Sequence, residues 1–325
     1  MRGWIIGKAR RRAAPRVVNS VNRNLESLTI HLLVNVVRGG KEPWERNKLG
    51  RRSHEPKVVA MCCMLMIFLN KTYDEIESYC KINSELHRLL GTSELPGHSV
   101  MHRGMKKLST SYVRWTITRV IFKYRRQGLT VAVDGTGFSL SSSSKWFDIR
   151  VRRTNTRHDF LKLHIAIDVE TGLIQAFTIT EGKAHDSPEF KRLLRYLPRI
   201  AKCLGDSAYS SRKNCEIVVE KGGKPYLKFK VNATGRAKTS PGWRVSFREY
   251  KKDSEHWLAE YHLRSIIESV FGSIKKRWHS FLKSKLGWIR RKELALKVLA
   301  YNLKQVLYLK RADEIGIPLR TPITT

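Results

Sequence analysis

Four side chains at fixed intervals could act on a phosphate: Tyr261, Arg264, Glu268 and Lys275, within YHLRSIIESVFGSIK. On a helix turning about 100° per residue, spacings of three, four and seven residues gather them within about 60° of one another. Leu263, Ile266, Ile267, Val270 and Ile274 form the neighbouring apolar side. One carboxylate bracketed by a phenol, a guanidinium and an ammonium could hold a metal ion beside a phosphate. The same spacing suits an ordinary salt-bridge array on a solvated helix. The choice turns on whether other carboxylates join Glu268.

Two do so if the apolar runs before them are strands. LTVAVDGTGF (129–138) reads as a buried strand stopping in a turn at Asp134-Gly135-Thr136, and RIAKCLG (199–205) reads as a short strand delivering Asp206. Asp134 also suits a plain turn residue and Asp206 a helix N-cap. The three acids stand 72 and 62 residues apart, so only tertiary structure can bring them together. Carboxylates sharing one site need a cation, and hard oxygen ligands suit Mg²⁺ or Mn²⁺. Two such ions about 4 Å apart can drive in-line displacement at a phosphodiester. His164 and His185 stand alone at a strand and a helix start and read as structural.

The elements that must position these residues follow in order. Residues 1–57 read as a basic, partly helical arm, with an Arg10-Arg11-Arg12 run suited to phosphates or to a solvated tail. Residues 58–127 read as short helices: one entered at Pro56, one opened by a capping box at Thr72-Tyr73-Asp74-Glu75, one closed by Gly91, and one capped by Ser99. The last carries Arg103, Lys106 and Lys107, as in a helix-turn-helix DNA reader, although a helical bundle with a basic face has the same pattern. After the Asp134 strand come a loop at 141–144, an edge strand at 146–153, and a hairpin over 160–168 and 173–180. A helix with a capping box at Asp186 leads to the Asp206 strand; a helix over 210–221 and a strand over 226–231 follow. A loop over 232–255 precedes the Glu268 helix, and a closing helix covers 294–309. The fold class is α/β with a mixed sheet, in the element order of ribonuclease-H-like domains, spanning 128–310 with a tail over 311–325.

Charge narrows the substrate. The chain has 325 residues, 63 Lys and Arg against 28 Asp and Glu, and a net charge of +35, which calls for a polyanionic partner, nucleic acid first. Residues 1–57 carry 14 basic against 4 acidic side chains, and residues 271–311 carry 12 against 1. Five cysteines show neither a disulfide framework nor zinc-site pairs and read as buried apolar residues. The longest apolar run, 58–69, is too short to span a bilayer. These features point to a cytoplasmic, nucleoid-associated protein with no membrane partner.

Tyr261-x2-Arg264-x3-Glu268-x6-Lys275 resembles the Tyr-Arg-Glu-Lys motif of prokaryotic insertion-sequence transposases of the Asp-Asp-Glu (DDE) type. VAVDGTGF and GDSAYSS resemble the two Asp motifs of that family, KLHIAID and GKAHDSPEF its intervening strands and helix start, and SYCKINSELHRLLGTSELPGHSVMHR its N-terminal helical region. The resemblance covers roughly residues 72–310. It implies metal-dependent cleavage of double-stranded DNA at terminal inverted repeats and joining of 3′-OH ends to target DNA. Asp134, Asp206 and Glu268 would hold two Mg²⁺ or Mn²⁺ ions, Tyr261, Arg264 and Lys275 would meet DNA, and the synaptic complex would be a homodimer. A DNA-binding regulator or a structure-selective nuclease of the same fold is the alternative. The interval between Asp206 and Glu268 has room only for a small insertion, so hairpin chemistry or base flipping by an inserted aromatic is not implied. Trp243 and Trp257 lie in that interval and suit either base contact or packing.

Overall fold

The computed structural model describes residues 11–46, 53–140 and 160–322. The chain begins with a short strand, β1 (Arg11–Ala13), and helices α1 (Pro15–Asn22) and α2 (Leu25–Arg38). Helix α3 (Pro56–Phe68) starts on Pro56, where a missing N–H costs no hydrogen bond, and buries eleven of its thirteen residues. Helix α4 (Tyr73–Ile82) opens in the expected capping box, with Thr72 Oγ1 accepting from Glu75 N–H and Glu75 Oε2 from Thr72 N–H. Helix α5 (Ser84–Leu90) closes at Gly91, whose φ of 63° is left-handed. Helices α6 (His98–Lys107) and α7 (Thr110–Val120) follow. The N-cap of α6 is Gly97 rather than Ser99: Glu77 of α4 accepts the His98 N–H at 2.7 Å, so the cap comes from a neighbouring helix.

The sheet is built from β2 (Leu129–Ser139), β3 (Phe160–Asp168), β4 (Ile174–Glu181), β5 (Ile200–Gly205) and β6 (Lys224–Leu227), with α8 (Ser187–Arg195) before β5 and α9 (Arg212–Glu220) after it. Its spatial order is β4-β3-β2-β5-β6; β2, β3 and β4 pair antiparallel, while β2, β5 and β6 run parallel. Alternation along the strands feeds two cores. Leu129, Val131, Val133, Ala166 and Cys203 face α8 and α9, whereas Ala132, Leu163, Ile165 and Leu204 face the helices of the opposite layer.

The rest of the chain is more helical than its composition implies. In place of a loop over 232–255 stand α10 (Pro241–Lys252) and α11 (Ser254–His262). A 3₁₀ turn over Leu263–Ser265 then breaks the expected single helix, and α12 (Ile266–Trp278) carries Glu268 and Lys275. The last strand of the sheet falls at 224–227 rather than 226–231. Asp186 does not cap α8; its carboxylate pairs with Lys162 instead. The anticipated loop at 141–144 and edge strand at 146–153 lie outside the described residues.

Helix α13 (Gly287–Glu314) joins the layers and runs past the anticipated tail boundary at 311. Past it, β7 (Arg320–Pro322) pairs antiparallel with β1, so Arg11 and Arg12 belong to a small sheet; Arg10 lies outside the described residues. One buried cluster includes Val17 and Leu33, Met61 and Ile117, Ile165, and Leu299 and Val306. The segments read as arm, reader and catalytic domain therefore share a core. Asn302 clamps α13 to β4 by accepting the Ile174 N–H at 3.0 Å and donating to the Ile174 carbonyl at 2.8 Å. Tyr301 and Gln305 donate to the carbonyls of Gly172 and Thr171 in the β3–β4 turn. Among the described residues, no helix is long and apolar enough to cross a membrane. Asn302→Ala strands both backbone groups of buried Ile174 and should lower unfolding free energy by about 2–4 kcal/mol, read from urea denaturation.

Candidate active site

Register places the first two carboxylates side by side. Val133 of β2 pairs with Gly205, the last residue of β5, so Asp134 and Asp206 follow at the same level and on the same face. Strand β2 does not turn at Asp134 but continues to Ser139, paired there with β3. Asp134 is thus a strand residue beside the end of β5, not a turn residue. Nor is Asp206 a helix cap: its Oδ1 accepts the Ala208 N–H at 3.0 Å, while Ser211 caps α9.

A glycine adjoins each acid and lets its neighbours pack closely. A Cβ on Gly135 would stand 2.9 Å from His164 Nδ1, and one on Gly205 would stand 2.9 Å from Leu227 Cδ2. Beneath Gly135, buried His164 bonds the Tyr209 hydroxyl through Nδ1 (3.2 Å) and Thr180 Oγ1 through Nε2 (3.0 Å). Burial pushes the Tyr209 hydroxyl far above its ordinary pKa, so it stays a neutral partner. His185, the other histidine singled out from sequence, is exposed.

Helix α12 crosses the face that carries Asp134. Ile267, Val270 and Ile274 are fully buried, as their spacing requires, and they turn Glu268 and Lys275 toward β2 or solvent. Lys275 Nζ donates to Thr136 Oγ1 at 2.7 Å, two residues beyond Asp134 and therefore on the same side of the strand. Partial burial lowers the Lys275 pKa. Beyond α12, Leu282 N–H donates to Ser139 and Ser139 N–H to Ser280, tying the following loop to the end of β2. That loop is held by the buried pair Glu293–Lys297 of α13 (3.3 Å), in which Glu293 accepts the N–H groups of Lys283 and Ser284 and Lys297 donates to the Phe281 carbonyl.

Arg264 occupies the centre of this arrangement. Its guanidinium lies 2.5 Å from Asp134 Oδ2 and 3.5 Å from Glu268 Oε1, and it stands over the Tyr261 ring. Tyr261 in turn stacks on Trp257, with ring centroids 5.8 Å apart and planes 14° apart. Burial raises the Asp134 pKa and outweighs the Gly135 N–H and Arg264, which favour its charge. Burial also works against the Arg264 charge, but Asp134, Tyr261 and Asp206 together hold its pKa above the ordinary value. One cation thus only partly offsets the cost of burying Asp134.

The donor chemistry fits a hard divalent cation, with carboxylates at the end of β5, within β2 and on α12. The spacing is set differently: among the described residues no three His, Cys, Asp or Glu side chains are gathered to hold an ion, and the guanidinium lies between Asp134 and Glu268. Glu268 is well exposed, its side chain 61% accessible.

Of the other residues singled out from sequence, Arg103, Lys106 and Lys107 are exposed on α6, away from the carboxylates in sequence and element. Trp243 and Trp257 are buried among Phe229, Tyr226 and Tyr250, so packing accounts for them. All five cysteines are free and buried, as anticipated. Thr136 and Tyr209 escaped the sequence reading, although two-residue spacing from Asp134 marks the first and the GDSAYSS stretch contains the second.

Asp134 and Asp206 thus stand side by side at a strand end in an α/β protein of net charge +35. The sequence profile of the Transposase DDE domain matches residues 125–303, and the chain belongs to that family. Domains of this family generally use divalent metal ions. No curated protein matches the chain. Among solved structures it is similar to a cryo-electron microscopy structure of the piggyBac transposase synaptic complex with hairpin DNA. The likeness covers 96% of this chain and 80% of that chain, at 9% identity and a TM-score of 0.43.

His164 gives the site a measurable pH signature. Burial lowers its pKa below the ordinary 6.5, so the unfolded chain takes up a proton on acidification before the folded chain does. Stability should therefore fall as pH drops below about 6.5, and His164→Gln should flatten that fall. Urea unfolding at about pH 7.5 and about pH 5.5 reads the difference.

Proposed function

We propose that this protein is a DNA transposase of the insertion-sequence type, which cuts phosphodiester bonds at element ends and joins the 3′-OH ends to target DNA. The observation that carries the reading is the β2–β5 register, which sets Asp134 beside Asp206 on the face crossed by the Glu268 helix. The sheet order β4-β3-β2-β5-β6 supports a ribonuclease-H-like catalytic domain. Asp134, Asp206 and Glu268 are the residues that would hold Mg²⁺ or Mn²⁺, two ions in the working site. When bound, such ions supply charge stabilisation for the attacking and leaving oxygens.

The chain's own cations do the positioning. Lys275, held by Thr136 on the strand of Asp134, presents a point charge to a phosphate next to the carboxylates. The planar fork of Arg264 suits two phosphate oxygens, but it is engaged by Asp134 and Glu268. Gripping DNA therefore requires Arg264 to exchange partners. Tyr261, stacked on Trp257, limits where that guanidinium can go. Exposed Arg103, Lys106 and Lys107 on α6 would contact the duplex backbone as part of a helix-turn-helix-like reader, and a homodimer would bring two ends together.

Asp134→Asn, Asp206→Asn and Glu268→Gln should each abolish metal-dependent cleavage of an end-bearing duplex and leave duplex binding nearly intact. Substantial cleavage by any one variant would remove that residue from the site. Lys275→Ala should weaken binding of a pre-cleaved end and lower the slope of log affinity against log salt by about 0.9, one phosphate contact. An unchanged slope accompanied by a lowered melting temperature would make Lys275 a structural partner of Thr136 instead.

A further inference from the structure

On the opposite face of the sheet, α8 and α9 border a groove of about 720 Å³ with five cations along it: Lys191, Arg192, Arg195, Arg199 and Lys221. Glu220 is the one acidic residue in its lining. Lys191 and Arg195 stand one helical turn apart on α8, so they share a face by construction. Some of this charge has local work. Arg192 pairs with Glu189 at 2.7 Å on its own helix, and Lys221 donates at 3.0 Å to the Leu197 carbonyl in the connection that follows α8. Lys191, Arg195 and Arg199 are exposed, and among the described residues their side chains have no ion-pair or hydrogen-bond partner. Three uncompensated like charges in one concavity raise the local potential and favour an anion that can meet several of them at once.

Position separates this groove from the acidic site. Helices α8 and α9 pack on the face of Val131 and Val133, whereas Asp134 and α12 occupy the other face. Arg199 precedes β5 and Asp206 follows it, so the six residues of β5 put about 20 Å between the two ends. A strand being cut at Asp134 and Asp206 cannot lie in the groove at the same point of its path. An extended polyanion fits the groove better than a compact one, because its cations run along α8 and continue to Arg199 and Lys221 beyond the helix ends.

We propose that the groove between α8 and α9 holds the sugar–phosphate backbone of a second DNA segment, separate from the one brought to the carboxylates. This rests on the transposase reading, in which duplex running beyond the phosphates at the carboxylates needs a second hold on the protein.

The test uses the full chain carrying Lys191→Gln, Arg195→Gln and Arg199→Gln together, with a duplex of random sequence as probe. Binding stoichiometry from calorimetric titration should fall from two duplexes per chain to one. At low salt, where the weakened site still fills, its salt slope should fall by roughly 0.9 per charge, nearly three in all. A charge-preserving variant, Lys191→Arg with Arg195→Lys and Arg199→Lys, should restore both and controls for folding, alongside a thermal melt. A folded triple variant that still binds two duplexes with an unchanged slope overturns the groove and leaves the transposase reading standing. No duplex binding by the unaltered chain overturns the transposase reading and the groove with it.

Discussion

The parallel pairing of β2 with β5 is the constraint on which the rest of the site depends. Because β5 ends at Gly205 while β2 continues, the sheet has a step at that level, and Asp134 and Asp206 both stand at it. Strand ends expose backbone that is no longer paired, which leaves carboxylates there accessible while the strands below hold them in place. Gly135 and Gly205 keep the step narrow; any side chain at either would push against His164 or Leu227. What makes the site acidic is thus local, and what brings the acids together is register.

Helix α12 completes the site from above, and its placement is fixed at both ends. Its buried stripe packs on the core face of the sheet, and the loop that follows pairs with Ser139, the last residue of β2. The buried Glu293–Lys297 pair is strained electrostatically in one sense, since burial disfavours the Lys297 charge, but every polar atom of the pair has a use in holding that loop. Lys297 and Lys275 also lie over the same Phe138 ring of β2, so this pair and α12 meet the strand at one place.

Much of this was legible in the sequence, for identifiable physical reasons. The apolar runs ending at Asp134 and Asp206, the 160–180 hairpin, the Thr72 capping box and the Gly91 stop are local signals, and local chemistry decides them. Helices α10 and α11 were not legible. Ser240-Pro241-Gly242 reads as a breaker, yet Pro241 is a first-turn proline, and α10 buries only Gly242, Trp243 and Ser246, too few for a clear period. Asp186 and Ser99 look like caps, but Lys162 engages the Asp186 carboxylate, and Glu77 from another helix accepts the N–H at the start of α6. The partner of Arg264 could not be read from helical spacing, because Asp134 reaches it from 130 residues away.

The placement of α13 bears on how motion is shared. Exposed cations on α6 and the carboxylates on the sheet are linked through α3, which packs on α6 and α13, and through α13, which packs on α6, β4 and α12. No thin linker separates them among the described residues. A rotation of one against the other would have to open a continuous apolar core, so the scaffold behaves as a rigid jig with its contact surfaces at fixed separation. On the proposed function, a duplex long enough to touch both would have to supply the bending itself, and sequences that bend easily would engage at lower cost.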